Sequence, residues 1–433
     1  MKLTAISILL LISIPAGAIT LQEAIDIALE NRGDVESAQM TYESAVWESR
    51  NADFWFLPSI NGQFAIQKNY DIQEMNIPGM GSIPMGTEYS SIAGISISMP
   101  LIVPQGMAGA RLASRSEDLS MHRSRATRMD AIVQVMSAFY GVLLAQEMSD
   151  VSEEALSISE EGYELASLRY EAGTISRFEL LQSRVAWENR LPDMISAESA
   201  LENARAGFAV ALGQDNEKVA YIEGQLDDEP DILLPETLNE ARELMMTQNP
   251  DLQVAEQMRL LGDAGVDMAR AAFFPKLVFQ TDLNYQAARD DIRFVADDYE
   301  RNLTASIALQ IPLFNGLSDI SDYNSARASR LSNEASARSL EQVAELSLVR
   351  AWNNLEAAQE RAAATASTVE QAFEGSEIAG VSFEAGMITR LEMDQAFLAL
   401  TSSRTNHASS LYELRMSEAE LMRVTGMMEG YIR

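Results

Sequence analysis

The sequence contains no cysteine and only two histidines, His122 and His407. Without cysteine there can be no disulfide bridge, thiol catalysis, cysteine–zinc site or lipidation at an N-terminal cysteine. Cations are also scarce: 32 Lys and Arg stand against 64 Asp and Glu, for a net charge of −32. This charge argues against nucleic acid as a partner, because phosphates favour clustered cations. The composition favours a cargo-handling or structural protein that uses no cofactor and no metal over an enzyme.

Long apolar runs are absent after the first residues of the chain. Lys2 precedes the almost wholly apolar stretch Leu3–Ile14, and small residues follow Pro15. This order predicts a secretory signal peptide over residues 1–18, with an uncleaved anchor as the alternative. No later segment reaches about 18 continuous apolar residues, so we expect no transmembrane helix in the exported chain.

An internal duplication organises the remainder of the chain. Leu21-Gln22-Glu23-Ala24 recurs as Leu238-Asn239-Glu240-Ala241, and the segment from Glu171 to Arg177 recurs from Glu384 to Arg390. Ordered correspondences of this length predict two similar halves rather than a short-period solenoid. The expected divisions are a first repeat over 19–213, a linker over 214–236, a second repeat over 237–426 and a tail over 427–433.

Proline is absent between Pro104 and Pro192 and after Pro312. Apolar residues at helical spacing in these stretches predict long helices, and Gly173 and Gly386 are suited to close each pair into an antiparallel hairpin. A helix of about 66 residues would be about 100 Å long, which is typical of coiled-coil rods or walls. The predicted helices cover 105–171, 175–212, 317–384 and 388–425.

Two stretches in each half alternate apolar and polar residues with a period of two. The predicted strands cover 59–68, 91–99, 277–285 and 303–311. Strands of roughly nine residues fit a tilted membrane barrel, with a half-buried strand in a soluble sheet as the alternative. Four strands cannot close a barrel, and open edges are not tolerated in lipid. Three chains together would supply twelve strands, a number known for such barrels.

The ordered, duplicated motifs resemble the TolC-like outer-membrane efflux proteins over residues 19–426. The matching motifs are Leu21-x-Glu23-Ala24, Leu57-Pro58 and Phe274-Pro275, Met99-Pro100-Leu101 and Ile311-Pro312-Leu313, Tyr170-x-x-Gly173 and Phe383-x-x-Gly386, and Ala211-Leu212-Gly213.

The resemblance implies a mainly helical homotrimer with a membrane β part. Long antiparallel helical hairpins would form a periplasmic α-barrel, continuous with a 12-stranded β-barrel in the outer membrane of a Gram-negative-type bacterium. The chain would enter and leave the strands at Pro58, Pro100, Pro275 and Pro312. Segments 21–31 and 213–248 would form an irregular belt around the equator.

The implied function is that of an exit duct in an efflux or secretion system. It would pass substrates from an inner-membrane pump, of RND or ABC type, through a periplasmic adaptor protein and across outer-membrane lipid. The hairpin turns would form the tips that contact the adaptor, although plain helix–helix turns are the alternative. The residues concerned are Ala172, Gly173, Thr174 and Ser176 in the first half and Ala385, Gly386, Met387 and Thr389 in the second.

The resemblance also implies an acidic constriction of the channel. Glu179 and Glu392 lie six residues after the turn glycines, where the family places this constriction, and Asp394 follows two residues later. Three copies would bring like charges together and attract cations. The family's second carboxylate falls on Gln182 and Gln395 here, which departs from the pattern. Solvated surface carboxylates are the alternative.

Three other functions compete with the duct. A soluble periplasmic coiled-coil adaptor or scaffold would explain the helices and the acidity but not the four strands. A passive porin would need more strands per chain and fewer helices. An enzyme is the least favoured, since no nucleophile–base set, metal cluster or cofactor fingerprint is apparent.

Overall fold

The computed structural model describes residues 19–77, 79, 81–214, 222–228 and 232–432. The predicted signal peptide, part of the predicted linker and Arg433 lie outside the described residues. Backbone elements are numbered below in chain order within the described ranges.

Helices dominate the described chain, and the four long ones begin and end within two residues of the predicted bounds. The longest, α3 and α7, contain 68 and 67 residues. The helices are α1 Leu21–Asn31, α2 Gly33–Asp53, α3 Pro104–Glu171, α4 Arg177–Ala211, α5 Leu238–Gln248, α6 Pro250–Ala271, α7 Ser318–Glu384 and α8 Arg390–Thr425.

The prediction of an irregular belt over 21–31 and 213–248 is wrong where α1 and α5 form. Thr20 caps α1, with its side chain accepting from the Glu23 amide while the Glu23 carboxylate accepts from the Thr20 amide. Thr237 similarly accepts from the Glu240 amide at the start of α5. A capping residue satisfies amides that a helix leaves without an internal partner, so these short segments become regular helices.

The four predicted strands form one antiparallel sheet in the order β1-β4-β5-β6. Both central strands run further than predicted. The strands are β1 Ser59–Lys68, β4 Tyr89–Ile102, β5 Lys276–Arg289 and β6 Glu300–Gln310.

An additional hairpin lies in the segment 69–90, where no strand is predicted. Its strands are β2 Glu74–Ile77 and β3 Gly81–Pro84, which pair with each other and form a separate two-stranded sheet. These two strands are additional to the four that the sequence predicts. Each added strand has four residues, which is too short for a period-two pattern to stand out.

The chain divides into two compact units, each built from several segments. The first comprises the residues up to Met40, His122–Val254 and those from Ser339 onward, and the second comprises Thr41–Met121 and Ala255–Arg338. Each repeat contributes segments to both units.

The buried apolar core described here belongs to the first unit. One cluster is centred on Phe139 and Phe208, whose rings meet edge to face with centroids 6.0 Å apart. A second cluster packs Met245 of α5 against Leu348 of α7 and Leu421 of α8. Removing such side chains from water supplies the main stabilising free energy of this unit.

Among the described helices, α3 contains a stretch long and apolar enough to cross a membrane by length and composition alone. Buried residues of the same helix, including Met129, Ile132 and Val135, belong to the core cluster of the first unit. Packing in this core accounts for the apolar character of α3.

In the second unit, the sheet β1-β4-β5-β6 separates apolar and polar residues onto opposite faces. The register aligns Ile60 with Ile97, Phe279 with Ile307 and Leu283 with Leu303, all on one face. On the other face, the aligned row Asn61, Ser96, Asp282 and Thr304 is polar throughout. Strands β1 and β6 lie at the two edges of the sheet.

The apolar face of this sheet is not covered by the chain itself. Ile60, Phe64 and Ile307 are 66%, 68% and 66% exposed. A contiguous exposed apolar surface marks contact with a membrane or another protein.

Candidate functional site

The turns that close the two long hairpins share one backbone geometry. Gly173 joins α3 to α4 with φ at +72°, and Gly386 joins α7 to α8 with φ at +73°. Glycine adopts this left-handed conformation without steric cost, which explains its place at both turns. In each turn the amide after the glycine donates to a carbonyl five residues earlier. These bonds join Thr174 to Arg169 at 2.9 Å and Met387 to Ser382 at 2.8 Å.

All eight residues predicted to form the tips are exposed to solvent. Met387 is 71% exposed, although large apolar side chains are more often buried. Ser176 and Thr389 have a second role, because each caps the helix that leaves its turn. The tips therefore combine capped helix ends with an exposed surface.

The two glutamates predicted for the constriction are the carboxylates of these caps. The Ser176 hydroxyl donates to Glu179 Oε1 at 3.1 Å and accepts from the Glu179 amide at 3.2 Å. In the second turn, Glu392 Oε2 accepts from the Thr389 amide at 2.7 Å and from its hydroxyl at 2.9 Å. The Thr389 amide and hydroxyl lower the pKa of Glu392. Sequence reasoning missed this capping, although the Ser/Thr-x-x-Glu spacing signals it.

Asp394 occupies a different environment from Glu392, two residues away. Its Oδ1 accepts from Arg390 Nε at 2.7 Å, and its side chain is 31% exposed. Burial raises the pKa of Asp394, although the Arg390 cation opposes this effect. One carboxylate is thus held ionised by a helix cap, and the other is partly desolvated beside a cation.

A cleft of about 510 Å³ lies between the two hairpins, just above their turns. Glu179, Thr389 and Arg390 line it together, so the cleft brings a predicted constriction residue of the first hairpin close to a predicted tip residue of the second. Phe383 also lines the cleft, and Arg169 lies over its ring with the guanidinium carbon 5.2 Å from the centroid. Sequence reasoning missed Arg390 and Phe383 as links between the hairpins.

The four prolines predicted to mark the strands lie at or near strand ends. Pro58 and Pro275 immediately precede β1 and β5, and Pro312 lies two residues beyond β6. Pro100 lies inside β4, where the pairing with β5 shifts register before Ile102. A proline has no amide to donate to the ladder, which is consistent with an irregular register there.

Both histidine rings lie within hydrogen-bond distance of a polar side chain. His122 Nδ1 lies 3.1 Å from Gln253 Oε1, and His407 Nδ1 lies 3.0 Å from Thr365 Oγ1. Among the residues that the structure describes, there is no group of three or more His, Asp or Glu side chains suited to a metal ion.

Comparison with known proteins places these features in context. The sequence profile described as "outer membrane efflux protein" matches residues 24–214 and 242–427. Cobalt-zinc-cadmium resistance protein CzcC of Cupriavidus metallidurans is 27% identical over 334 residues, which are 74% of each chain. Protein CyaE of Bordetella pertussis is 26% identical over 322 residues, 74% of this chain and 67% of CyaE.

The fold is shared with solved structures at low sequence identity. The Campylobacter jejuni CmeC outer membrane channel superposes with a TM-score of 0.78 at 17% identity, covering 94% of this chain and 85% of CmeC. This similarity confirms the predicted fold class of long helices with a small four-stranded antiparallel sheet.

Proposed function

Because this chain belongs to the outer membrane efflux protein family, we propose that it is the trimeric exit duct of a tripartite efflux or secretion system. An inner-membrane pump, of RND or ABC type, and a periplasmic adaptor would deliver substrates to it. The duct would then conduct them across the periplasm and the outer membrane without consuming energy itself.

The observation that carries this proposal is the four-stranded sheet with an exposed apolar face, a polar face and two open edges. Unpaired backbone groups at an edge cost several kcal/mol each in lipid, so a single sheet of this kind is unsuited to a bilayer. Pairing β6 of one chain with β1 of the next would remove every edge. Three chains would close a 12-stranded barrel, with residues such as Ile307 facing lipid and Asp282 facing the lumen.

The hairpin turns are the proposed contact with the adaptor. Their backbone is exposed at Gly173 and Gly386, and the flanking Ala172 and Ala385 are small. Small residues let a partner helix approach the backbone closely. Met387 offers an adaptable apolar side chain at the same surface.

Glu179, Glu392 and Asp394 are the proposed constriction of the duct. In a trimer each would be present three times, and rings of carboxylates favour cations in channels. The cap holds Glu392 in its ionised form, as the lowered pKa indicates. Glu179→Gln combined with Glu392→Gln should reduce the preference for cations in planar-bilayer recordings, and an unchanged preference would refute this role.

The assembly is tested by extracting the protein from outer membranes in mild detergent. Light scattering should give the mass of three chains, and single-particle images should show a hollow tube with one helical end. A monomer released without detergent would overturn the duct and favour a soluble periplasmic scaffold. Loss of adaptor binding in a Gly386→Leu variant, with Gly265→Leu as a helix control, would support the tip contact.

A further inference from the structure

A close contact between the two hairpins depends on the absence of a side chain at Gly162. A Cβ at this position of α3 would lie 2.9 Å from the guanidinium carbon of Arg390, which begins α8. Arg390 Nη1 lies 3.5 Å from the Gly162 carbonyl oxygen, and Asp394 holds its Nε. Gly162 is buried as a result. A Cβ at this notch would therefore force the guanidinium group of Arg390 to move.

The duplication supplies a second copy of both members of this pair. The shift of 213 that relates Gly173 to Gly386 also relates Gly162 to Gly375 and Arg177 to Arg390. The surroundings of the glycine are repeated as well. Glu161-Gly162-Tyr163-Glu164 corresponds to Glu374-Gly375-Ser376-Glu377.

Within the chain, however, the second pair is not joined. Gly375 is exposed, with nothing within 4 Å of an added Cβ, and Arg177 is exposed at the start of α4. Across the described part of the chain, the Arg177 side chain makes neither a hydrogen bond nor an ion pair. The residue four positions after it is Leu181, whereas Asp394 stands four positions after Arg390 and binds it.

We propose that Arg177 of one copy of this chain enters the notch at Gly375 of a neighbouring copy. Within a chain, Arg390 of the second hairpin contacts Gly162 of the first. The corresponding contact between Arg177 and Gly375 would then form between neighbouring chains. This inference rests on the proposed assembly into a ring. A contact of this head-to-tail kind propagates from chain to chain and closes after a fixed number of copies.

Charge favours the same arrangement. Each chain carries a net charge of −32, so copies repel one another unless cations lie at their contact. Glu374 is the exposed residue before Gly375 and contributes a negative potential near the notch, to which a guanidinium group is attracted. Arg177 brings the required cation from the neighbouring chain.

Cysteine cross-linking tests the contact directly, because the natural chain has no cysteine. The variant Arg177→Cys/Gly375→Cys, treated with a short bismaleimide in detergent-extracted protein, should give adducts of two and three chains. The pair Gly162→Cys/Arg390→Cys should react within one chain only. Arg177→Cys/Glu377→Cys is the matched control, since residue 377 points to another side of α7, and should give no interchain product.

The outcomes separate this contact from the proposed duct. A trimer by light scattering without an interchain Arg177→Cys/Gly375→Cys product would overturn the contact and leave the duct intact. A monomeric wild-type protein would overturn both.

A notch-filling variant gives a second measurement. Gly375→Leu should keep its helical circular dichroism, since the added side chain meets open space in the single chain, but should lose the trimer peak in light scattering. A fully trimeric Gly375→Leu protein would also overturn the contact.

Discussion

Two phenylalanine side chains, Phe208 and Phe64, lie in different surroundings. Phe208 is completely buried against Phe139 in the first unit, whereas Phe64 is 68% exposed on the sheet of the second unit. The first unit buries large apolar side chains against other residues of the same chain. The sheet of the second unit instead exposes such side chains to whatever surrounds the chain. We propose that this medium is outer-membrane lipid, so that one chain would contain two kinds of apolar environment.

The largest expected effect separates these environments. Phe208→Ala should lower the free energy of unfolding by about 3–5 kcal/mol, because a rigid core retains the cavity. Phe64→Ala should cost no more than about 1.5–3 kcal/mol, the transfer contribution alone, since lipid or detergent can fill the space. Urea unfolding in one detergent measures both, and equal costs would show that the sheet face is packed like a core.

Arg415 and Glu418 extend the comparison to charge. Their side chains are 5% and 9% exposed and form a 2.6 Å ion pair, and Arg415 also donates to the Leu226 carbonyl. Arg415→Met should lower stability by about 3–5 kcal/mol, because it breaks this buried pair by removing one partner. Arg184→Met breaks a surface pair with Glu188 that solvent screens, and it should have little effect on stability. A small loss for Arg415→Met in urea unfolding would contradict this assignment.

A cation on the sheet should distinguish its two faces. Ile307→Arg places a charge on the apolar face and should destabilise the protein in lipid vesicles by about 2–4 kcal/mol near the bilayer midplane. Ser306→Arg, one residue away on the polar face, should have little effect. Unfolding midpoints of vesicle-inserted protein test this difference, and similar losses for the two variants would reject a lipid-facing surface.

The smallest expected effect concerns Glu392 and Asp394 at the start of α8. The folded state lowers the pKa of Glu392, so its contribution is present above the unfolded pKa and disappears as pH falls through the folded pKa. Burial raises the pKa of Asp394, so stability grows as pH falls through its folded pKa.

The matched variants isolate these two opposite contributions. Relative to wild type, Glu392→Gln should be less stable at neutral pH, and the difference should vanish in acid. Asp394→Asn should not show the increase in stability that protonation of Asp394 gives the wild type as pH falls. Melting temperatures measured from pH 7 down to below the ordinary glutamate pKa of 4.5 check both signs. Parallel curves for the two variants would contradict them.

Much of the architecture could be predicted because it depends on periodicity. The alternation of apolar and polar residues predicted β1 at its observed bounds, because one face of a strand in this sheet must be apolar along its length. The duplicated motifs predicted the family, the outer-membrane location and a non-enzymatic channel, and the family match confirms them. The proposed trimer, adaptor contact and constriction stay predictions.

The remaining features depend on contacts between distant residues or on short local signals. The β2–β3 hairpin is too short for a periodic pattern, and α1 and α5 are fixed by single capping residues, Thr20 and Thr237. The notch at Gly162 depends on Arg390, more than two hundred residues away. Spacing alone could not reveal that contact, although the duplication of both residues was present in the sequence.

The strand order of the sheet has a consequence for how the protein folds. Strands β1 and β4 lie within one stretch of chain, as do β5 and β6, so each pair can form early as a local hairpin. The junction of β4 with β5 must wait, because β4 ends at Ile102 and β5 begins at Lys276. Pairing strands so distant in sequence is intrinsically slow. Two apolar hairpins must therefore survive in water without aggregating until the second repeat has been exported.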